Sequence, residues 1–494
     1  MDLFALIKSL KPTEKRYFTL SAGLMTPAKK NNYLRLFEVL DAMDSYDESL
    51  LKTKYRKEAF AKNLAVYKSQ LFDSILASLR NYNEENIEEW DIRKDLYKIQ
   101  LLAQKGLDKD CEAAIHKTKQ KAWQYELYHI LLEILDIQLY LFGNCRIGHF
   151  DPEYRKQIQS EKDRVLHCVK MFDLALDGWH RINLYFQLPA ENHTYAASQE
   201  IDQLIQTLEE LQPNIPGDAY LLINRYLACF ELYYNGIGNA ERCYYFNSLL
   251  VENRQKLDEK MPNLSTDAMA VYFNFMVACF KFQKWNEMET YLEKTLHYPI
   301  QSLQQEIRRA HNYCYCGILL YLSTGALDKA AEVVSNFELA RKKYAGKYRL
   351  DFLLFTLCQC GWYYFLKKDY DSARQIWREI TQGPRYSVET RAQAMTRFYQ
   401  LILFYTLEET DLFASELVNT RRYLQNHHLL GENEMTFLNS FKKLNHSPSD
   451  KHVLNVMVTT LKSSSQVMTE RSVLNAFMVG YFNNQISKIG PGLV

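Results

Sequence analysis

The chain has 494 residues, of which 60 are Lys or Arg and 59 are Asp or Glu, so its formal net charge is +1. This even balance excludes the strong electrostatic field that drives non-specific binding to nucleic acid or to an anionic membrane surface. Its 17 Gly and 11 Pro residues are about half the number that average usage gives, which argues against a β-sandwich, a collagen-like chain or a disordered linker.

The start of the chain gives an expectation for its compartment. Leu3–Ile7 is a short apolar run that Lys8 follows directly, unlike a secretory signal peptide. The uncharged stretch Phe352–Leu366 is shorter than the ~20 apolar residues that span a bilayer. We therefore predict a cytoplasmic protein that does not insert into membranes.

Apolar residues recur at helical spacing along the whole chain, and no convincing pair of strands is present. The sequence therefore predicts an all-α fold with four regions. These are an N-terminal helical domain (1–82), irregular helical hairpins (83–215), a solenoid of helical hairpins (216–430) and C-terminal capping helices (431–494).

The N-terminal region is locally basic, with 14 Lys or Arg against 9 Asp or Glu. A helix over Asp47–Lys54, a turn near Arg56–Glu58 and a long helix over Phe60–Tyr82 are consistent with a helix-turn-helix that binds DNA. A helical domain that only packs against the rest of the chain explains the same pattern, and the two alternatives stay open. The candidate DNA contacts are Lys62, Lys68 and Gln70.

The second region shows a weaker form of a pattern that becomes regular later. The turn Lys105–Lys109 is similar in sequence to Ala326–Lys329, so hairpins of one kind are expected from early in the chain. Two prolines in Gln212–Asp218 block helix continuation and predict a linker.

Internal repetition is the strongest signal in the sequence. A Cys-x-Cys-Gly segment occurs at Cys314–Gly317 and again 44 positions later at Cys358–Gly361. A period near 42 holds two helices of roughly 18 residues, and such hairpins bury their apolar faces by stacking on their neighbours. Apolar turn residues mark this period at intervals of 42, 43 and 42 residues: Trp285, Leu327, Tyr370 and Leu412.

One repeat resembles the tetratricopeptide motif. Gly361, Tyr364, Ala373, Trp377 and Pro384 occur in the order of that motif at nearly its spacing. The period here is longer than the ~34 residues of that family. The whole chain also resembles bacterial helical-repeat proteins of uncharacterised function that begin with a segment like Leu6–Leu10. The resemblance implies an α–α superhelix whose first helices line a concave face and bind a protein or peptide.

Polar residues within the apolar first helices are the candidate binding residues. Asn224 and Asn274 occupy one phase of the repeat and Asn312 lies close to it. An amide offers both donors and an acceptor to a peptide backbone. Neighbouring Tyr side chains would supply rigid contact area if the groove is open. Hydrogen bonds that stabilise helix stacking are the alternative role for the Asn residues. The candidates are Asn224, Tyr226, Tyr272, Asn274, Asn312 and Tyr313.

No motif for catalysis or for a cofactor is found. The Cys-x-Cys pairs suggest zinc ligands, but residues i and i+2 of a helix point in nearly opposite directions, so buried packing is favoured. Gly236–Gly238 lacks the third glycine of a dinucleotide-binding loop. We therefore predict no catalytic residue, no metal and no cofactor.

These observations favour a non-catalytic protein- or peptide-binding scaffold that uses the concave face of a helical array. The alternative is a transcription regulator whose N-terminal helices bind DNA while the array senses a ligand or peptide. Nucleic acid is a partner only under that alternative.

Overall fold

The computed structural model describes residues 2–25, 32–86, 88–148, 151–187, 195–261, 268–300, 302–383, 390–447, 450–463 and 470–488. The described residues form α-helices joined by turns and short 3₁₀ segments such as Gln212–Asn214, and contain no strand. The predicted all-α class is confirmed. None of the described helices combines the length and apolarity that crossing a membrane demands.

The chain forms two compact units, of which the first comprises Met1–Val169 and Lys260–Leu264. Its helices alternate with short turns from the N-terminus onward. They are α1 Leu3–Ser9, α2 Pro12–Met25, α3 Asn32–Ala42, α4 Glu48–Lys54, α5 Ala59–Lys62, α6 Leu64–Asn86, α7 Glu88–Lys105, α8 Asp108–Gln124 and α9 Tyr128–Gly143. The division between the units falls within α10, Pro152–Gln187.

The second unit comprises Lys170–Glu259 and Ser265–Val494. It holds the region in which the sequence repeats. Its helices are α11 Tyr195–Leu211, α12 Tyr220–Gly236, α13 Ala240–Lys260, α14 Ala268–Lys281, α15 Trp285–His297, α16 Leu303–Thr324, α17 Leu327–Lys343, α18 Leu350–Leu366, α19 Tyr370–Gln382, α20 Thr390–Thr406, α21 Thr410–Asn426, α22 Glu432–His446, α23 Lys451–Ser463 and α24 Glu470–Lys488.

The predicted repeat corresponds to the helical hairpins of the second unit. Trp285, Leu327 and Tyr370 are the first residues of α15, α17 and α19, and Leu412 lies in the first turn of α21. Each first helix packs against the second helix of its own hairpin and against the next first helix, as α14, α16, α18 and α20 do in succession. The expected array of stacked hairpins is therefore present.

A common turn explains why the period is so regular. The residue before each second-helix N-cap has a left-handed backbone conformation, with φ of 55° at Gln283, 75° at Gly325, 62° at Lys368 and 57° at Glu408. The next amide then bonds back to a carbonyl five residues earlier, as Asp369 does to Tyr364. This C-terminal cap satisfies helix carbonyls and reverses the chain in two residues.

The repeated glycine permits close packing within a hairpin. A Cβ atom on Gly361 would lie 2.0 Å from Nε1 of Trp377 on α19, and one on Gly317 would lie 3.2 Å from Val333 on α17. Both contacts join residues 16 positions apart, so they are the same contact in successive hairpins. The neighbouring cysteines are buried packing residues.

The predicted elements of the N-terminal region need one correction. The long helix expected over Phe60–Tyr82 is divided at Asn63, where φ is −128° and ψ is 46°, into α5 and α6. Lys62 therefore ends α5 and does not belong to α6. Residue 82, the expected limit of this domain, lies within α6.

The C-terminal region does more than extend the end of the array. The helices α22 and α23 pack in sequence after α21, but α24 contacts α18 and α20, which lie earlier in the array. Ring contacts of Phe477 and Tyr481 join α24 to α18, while Phe482 contacts Phe437 of α22. The predicted terminal Pro384 lies outside the described residues.

Candidate binding groove on the inner face of the array

One apolar stripe on each first helix of the second unit defines the inner face. The stripe residues follow the three- and four-residue spacing that keeps side chains on one side of a helix. Rings on α14 and α18 meet across the intervening α16, so these helices approach one another on this side, which is therefore concave. The stripe residues are Phe273, Val277 and Phe280 on α14, His311, Tyr315 and Leu322 on α16, and Phe352, Gln359, Trp362 and Leu366 on α18.

Aromatic side chains fill the half of this face near the N-terminal ends of the first helices. The centroid of the Phe273 ring lies 5.8 Å from that of His311, 5.5 Å from that of Tyr315 and 6.4 Å from that of Phe352. His311 stacks on Phe352 with ring centroids 4.3 Å apart and planes 5° apart. We call this cluster of four rings the closed half.

His311 is a neutral packing residue in the closed half. It is 2% exposed, and neither ring nitrogen has a hydrogen-bond partner among the described residues. Burial lowers the pKa of His311 to about 3, while the carboxylate of Asp351 opposes that shift and Arg349 adds to it. The imidazole is therefore uncharged near neutral pH, which suits a ring stacked between aromatic neighbours.

A cavity of about 580 Å³ occupies the other half of the inner face. Its walls are Val277 and Phe280 of α14, Leu322 of α16, and Trp362 and Leu366 of α18. Trp285, at the start of α15, adds a further ring. We call this region the open half. Its volume lies within the ~300–1,000 Å³ range of typical ligand pockets, which are mostly apolar with a few polar groups.

The last helix supplies the opposite wall of the cavity. Phe477 of α24 has its ring centroid 5.9 Å from that of Trp362, and Tyr481 has its centroid 5.7 Å from that of Phe365. The Tyr481 hydroxyl also lies 2.8 Å from Oγ1 of Thr406. Gly480 faces the cavity, and a Cβ atom added there would meet no atom within 4 Å.

The charged side chains that line the cavity are both lysines and therefore positive. Lys281 ends α14, Lys462 lies near the end of α23, and none of the described lining residues is Asp or Glu. Burial lowers the pKa of Lys281. The remaining polar lining residues are neutral: Gln283, Ser323, Tyr481 and Asn484.

A larger cavity of about 770 Å³ lies on the other side of Tyr481. Its lining includes Glu408 beside a hairpin turn and Lys488 near the end of α24, so it carries charges of both signs. It does not touch the stripes of α14, α16 and α18. The open half is therefore the better candidate for a groove that the repeat itself creates.

The three predicted Asn candidates lie outside the cavity lining. Asn312 is 3% exposed, and its Nδ2 donates a hydrogen bond of 2.7 Å to the carbonyl of Met269 on α14. Its amide therefore joins two first helices, which is the stacking role that the sequence left open. Asn224 and Asn274 are half-buried, on α12 and α14.

The predicted Tyr candidates are largely packed within the protein. Tyr226 is 1% exposed, and Tyr272 is buried with its ring centroid 5.4 Å from that of Tyr291 and 5.9 Å from that of Tyr298. These two side chains do not provide the expected surface contact area, because neighbouring helices cover them. Tyr313 is half-buried against the core.

Two of the three DNA-contact candidates already have partners within the first unit. The Lys68 ammonium donates to the Tyr46 hydroxyl at 2.8 Å and lies 3.3 Å from Oε2 of Glu48. The side chain of Gln70 accepts a 2.6 Å hydrogen bond from the hydroxyl of Tyr33. Lys62 is exposed. Contacts from Lys68 and Gln70 to a phosphate backbone would replace these internal bonds.

The cysteine pairs lie in the core of the array. Burial raises the pKa of the Cys358 thiol to about 12, and its Sγ lies 3.2 Å from Oγ1 of Thr396. Among the described residues, no group of three or more His, Cys, Asp or Glu side chains could hold a metal ion. The thiols are therefore protonated packing groups.

The sequence analysis did not identify the lining residues of the open half, because they form a cavity only where α24 packs opposite them. The run Val277–Lys281 could have been noted from the sequence as an apolar helix end that finishes on a lysine. Its partners Phe477 and Gly480 lie about 200 positions later and outside the repeat. No local pattern connects the two segments.

No protein-family model matches this chain, and no curated protein matches it. Among solved structures, the chain is similar to the crystal structure of aspartyl phosphate phosphatase F from Bacillus subtilis. The TM-score is 0.43 and the sequence identity 11%, over 82% of this chain and 96% of that chain. A likeness at this level does not establish a family.

Proposed function

We propose that this protein is a non-catalytic binding protein that holds a segment of another protein in the open half of its inner face. The observation that carries this proposal is the cavity of about 580 Å³ between the first-helix stripes and α24. Its walls are large apolar and aromatic side chains, the residue types that anchor protein partners.

The chemistry of the lining supports binding over catalysis. The ionisable side chains that line the cavity are Lys281, Lys462 and the phenol of Tyr481. General acid–base and nucleophilic catalysis commonly use a His, a Cys or a pair of carboxylates positioned close together. The described lining residues include none of these groups.

A display library of peptides with randomised side chains tests this function. Selection uses the full chain, and counter-selection uses Gly480→Trp, which places an indole in the cavity without displacing a neighbour at Cβ. We expect the enriched peptides to bind the unaltered chain at least about tenfold more tightly than the Gly480→Trp variant.

The matched control is Asn483→Trp, which adds the same side chain to an exposed position of α24 that does not line the cavity. Peptide affinity should be unchanged in this variant. Enriched peptides that bind Gly480→Trp as tightly as the unaltered chain would show that the open half is not the binding site.

A further inference from the structure

A polar cavity of about 450 Å³ lies between the second helices α19 and α21, and it shares no lining residue with the open half. Gln400 and Phe404 of α20 are buried, whereas the lining residues of α19 and α21 are exposed or half-buried, so α20 forms the floor. Most of the lining side chains carry hydrogen-bonding groups. The cavity therefore suits a polar ligand, unlike the apolar open half.

Three guanidinium groups and one carboxylate line this cavity: Arg378 of α19, Arg397 of α20, and Arg422 and Glu416 of α21. Arg397 and Glu416 form an ion pair with N and O atoms 2.9 Å apart, and their side chains are 16% and 15% exposed. The Arg397 guanidinium also lies 4.6 Å from the centroid of the Tyr423 ring. This pair is therefore held in place, and its charges cancel.

The other two arginines leave the cavity with an excess charge of +2. Arg374, one turn before Arg378 on α19, pairs with Glu409 beside the start of α21 at 2.6 Å. Further along the same helices, Arg378 and Arg422 stand on opposite walls, and neither forms an ion pair with a described residue. A cleft lined by one sign of charge concentrates ligands of the opposite sign.

The charge and the donors of the cavity favour one class of anion. A phosphate monoester carries about −1.5 to −2 charges at pH 7, which matches this excess, whereas a carboxylate carries only one. Guanidinium groups bind phosphate oxygens through pairs of parallel hydrogen bonds. Gln382, Ser415 and Asn419 add neutral hydrogen-bonding groups for the rest of such a ligand.

We propose that this cavity binds the phosphate monoester group of a phosphorylated molecule. Arg378 and Arg422 bind its oxygens from the two walls, and the pair of Arg397 and Glu416 keeps the floor in place. The group belongs either to a free small molecule or to a phosphorylated side chain of a protein, because both present the same dianion. The site is separate from the open half, so this inference does not depend on the proposed function.

Calorimetric titration of the full chain tests this inference, with inorganic phosphate and acetate as probes at equal ionic strength. We expect phosphate to bind at least about tenfold more tightly than acetate. Two further probes, ribose 5-phosphate and a blocked Ala-phosphoserine-Ala peptide, distinguish the two sources. The one that binds more tightly shows which kind of molecule carries the group.

Exposed arginines of α19 and α21 provide matched variants. Arg378→Gln and Arg422→Gln should each weaken phosphate binding about tenfold. The control is Arg421→Gln, which removes the same charge from an exposed neighbour that does not line the cavity, and it should leave affinity unchanged. Glu416→Gln removes the one lining carboxylate and should tighten phosphate binding.

Two outcomes would overturn the phosphate site. Phosphate that binds no more tightly than acetate would remove the match of charge. Equal weakening by Arg421→Gln and Arg422→Gln would show that only the general charge of α21 is measured. Gly480→Trp should bind phosphate as the unaltered chain does, so failure here would leave the proposed function of the open half standing.

Discussion

The closed and open halves of the inner face are formed by the same first helices, but the closed half is filled by side chains and the open half contains a cavity. In the closed half, Phe273, His311, Tyr315 and Phe352 meet ring against ring and leave little space between α14, α16 and α18. In the open half, the same stripes continue, but a cavity separates them from α24.

The difference shows that repetition of helices does not by itself make a groove. The stripe spacing is the same in both halves, so the change comes from which side chains occupy it and from what lies opposite. Aromatic rings near the N-terminal ends fill the space by contacting one another. Towards the C-terminal ends, the small face of α24 at Ala476 and Gly480 leaves space unfilled.

The largest expected effect concerns the pH dependence of the closed half. The pKa of His311 is about 3 in the folded protein, below its ordinary value of 6.5, so the unfolded chain binds a proton first as pH falls. The free energy of unfolding should therefore decrease as pH falls from about 6.5 towards 3, by on the order of 3 kcal/mol between pH 7 and pH 4. His311→Phe should remove this contribution and retain the stacking on Phe352.

Urea unfolding of both proteins at pH 7 and pH 4 measures the effect. The control is His116→Phe, because His116 is exposed on α8 and should leave the pH dependence unchanged. Equal losses on acidification for the unaltered chain and His311→Phe would show that the closed half is open to water or protons.

A pair of substitutions on α18 compares the two halves directly. Phe352→Ala removes a half-buried ring that contacts His311 and Phe273, and should lower the free energy of unfolding by about 2 kcal/mol. Leu366→Ala lies on the same stripe at the cavity, where the side chain is 44% exposed, and should cost less than about 1 kcal/mol.

Thermal and urea unfolding of the two variants at pH 7 provide the measurement. Both residues belong to α18, so both variants report on the unfolding of the same part of the protein. An equal loss for the two variants would mean that the halves are packed to the same degree.

The smallest expected effect is a gain in stability from a substitution at Gly480. Because a Cβ atom there meets open space, Gly480→Ala should raise the free energy of unfolding by about 0.5–1 kcal/mol through its better helix propensity. The contrasting substitution is Gly361→Ala, whose Cβ would approach Nε1 of Trp377 to 2.0 Å and should destabilise the protein. A loss of stability for Gly480→Ala would contradict the vacancy beside α24.

The sequence by itself determined the helices, the hairpin period and the places where hairpins turn. Apolar spacing, glycine and turn residues act over a few positions, so Trp285, Leu327 and Tyr370 mark second-helix starts without reference to the rest of the fold. The same short range explains an error in the N-terminal region, where the pattern did not reveal the break at Asn63.

Only the tertiary structure decided which polar and aromatic residues face a ligand. Asn312 lies close to the repeat phase of Asn224 and Asn274, yet its amide bonds to Met269 on a neighbouring helix, and helix packing covers Tyr226 and Tyr272. The cavity depends on α24 folding back onto α18, a contact between segments about 110 positions apart. Such a contact arises from the fit of whole surfaces, and no local spacing in the chain records it.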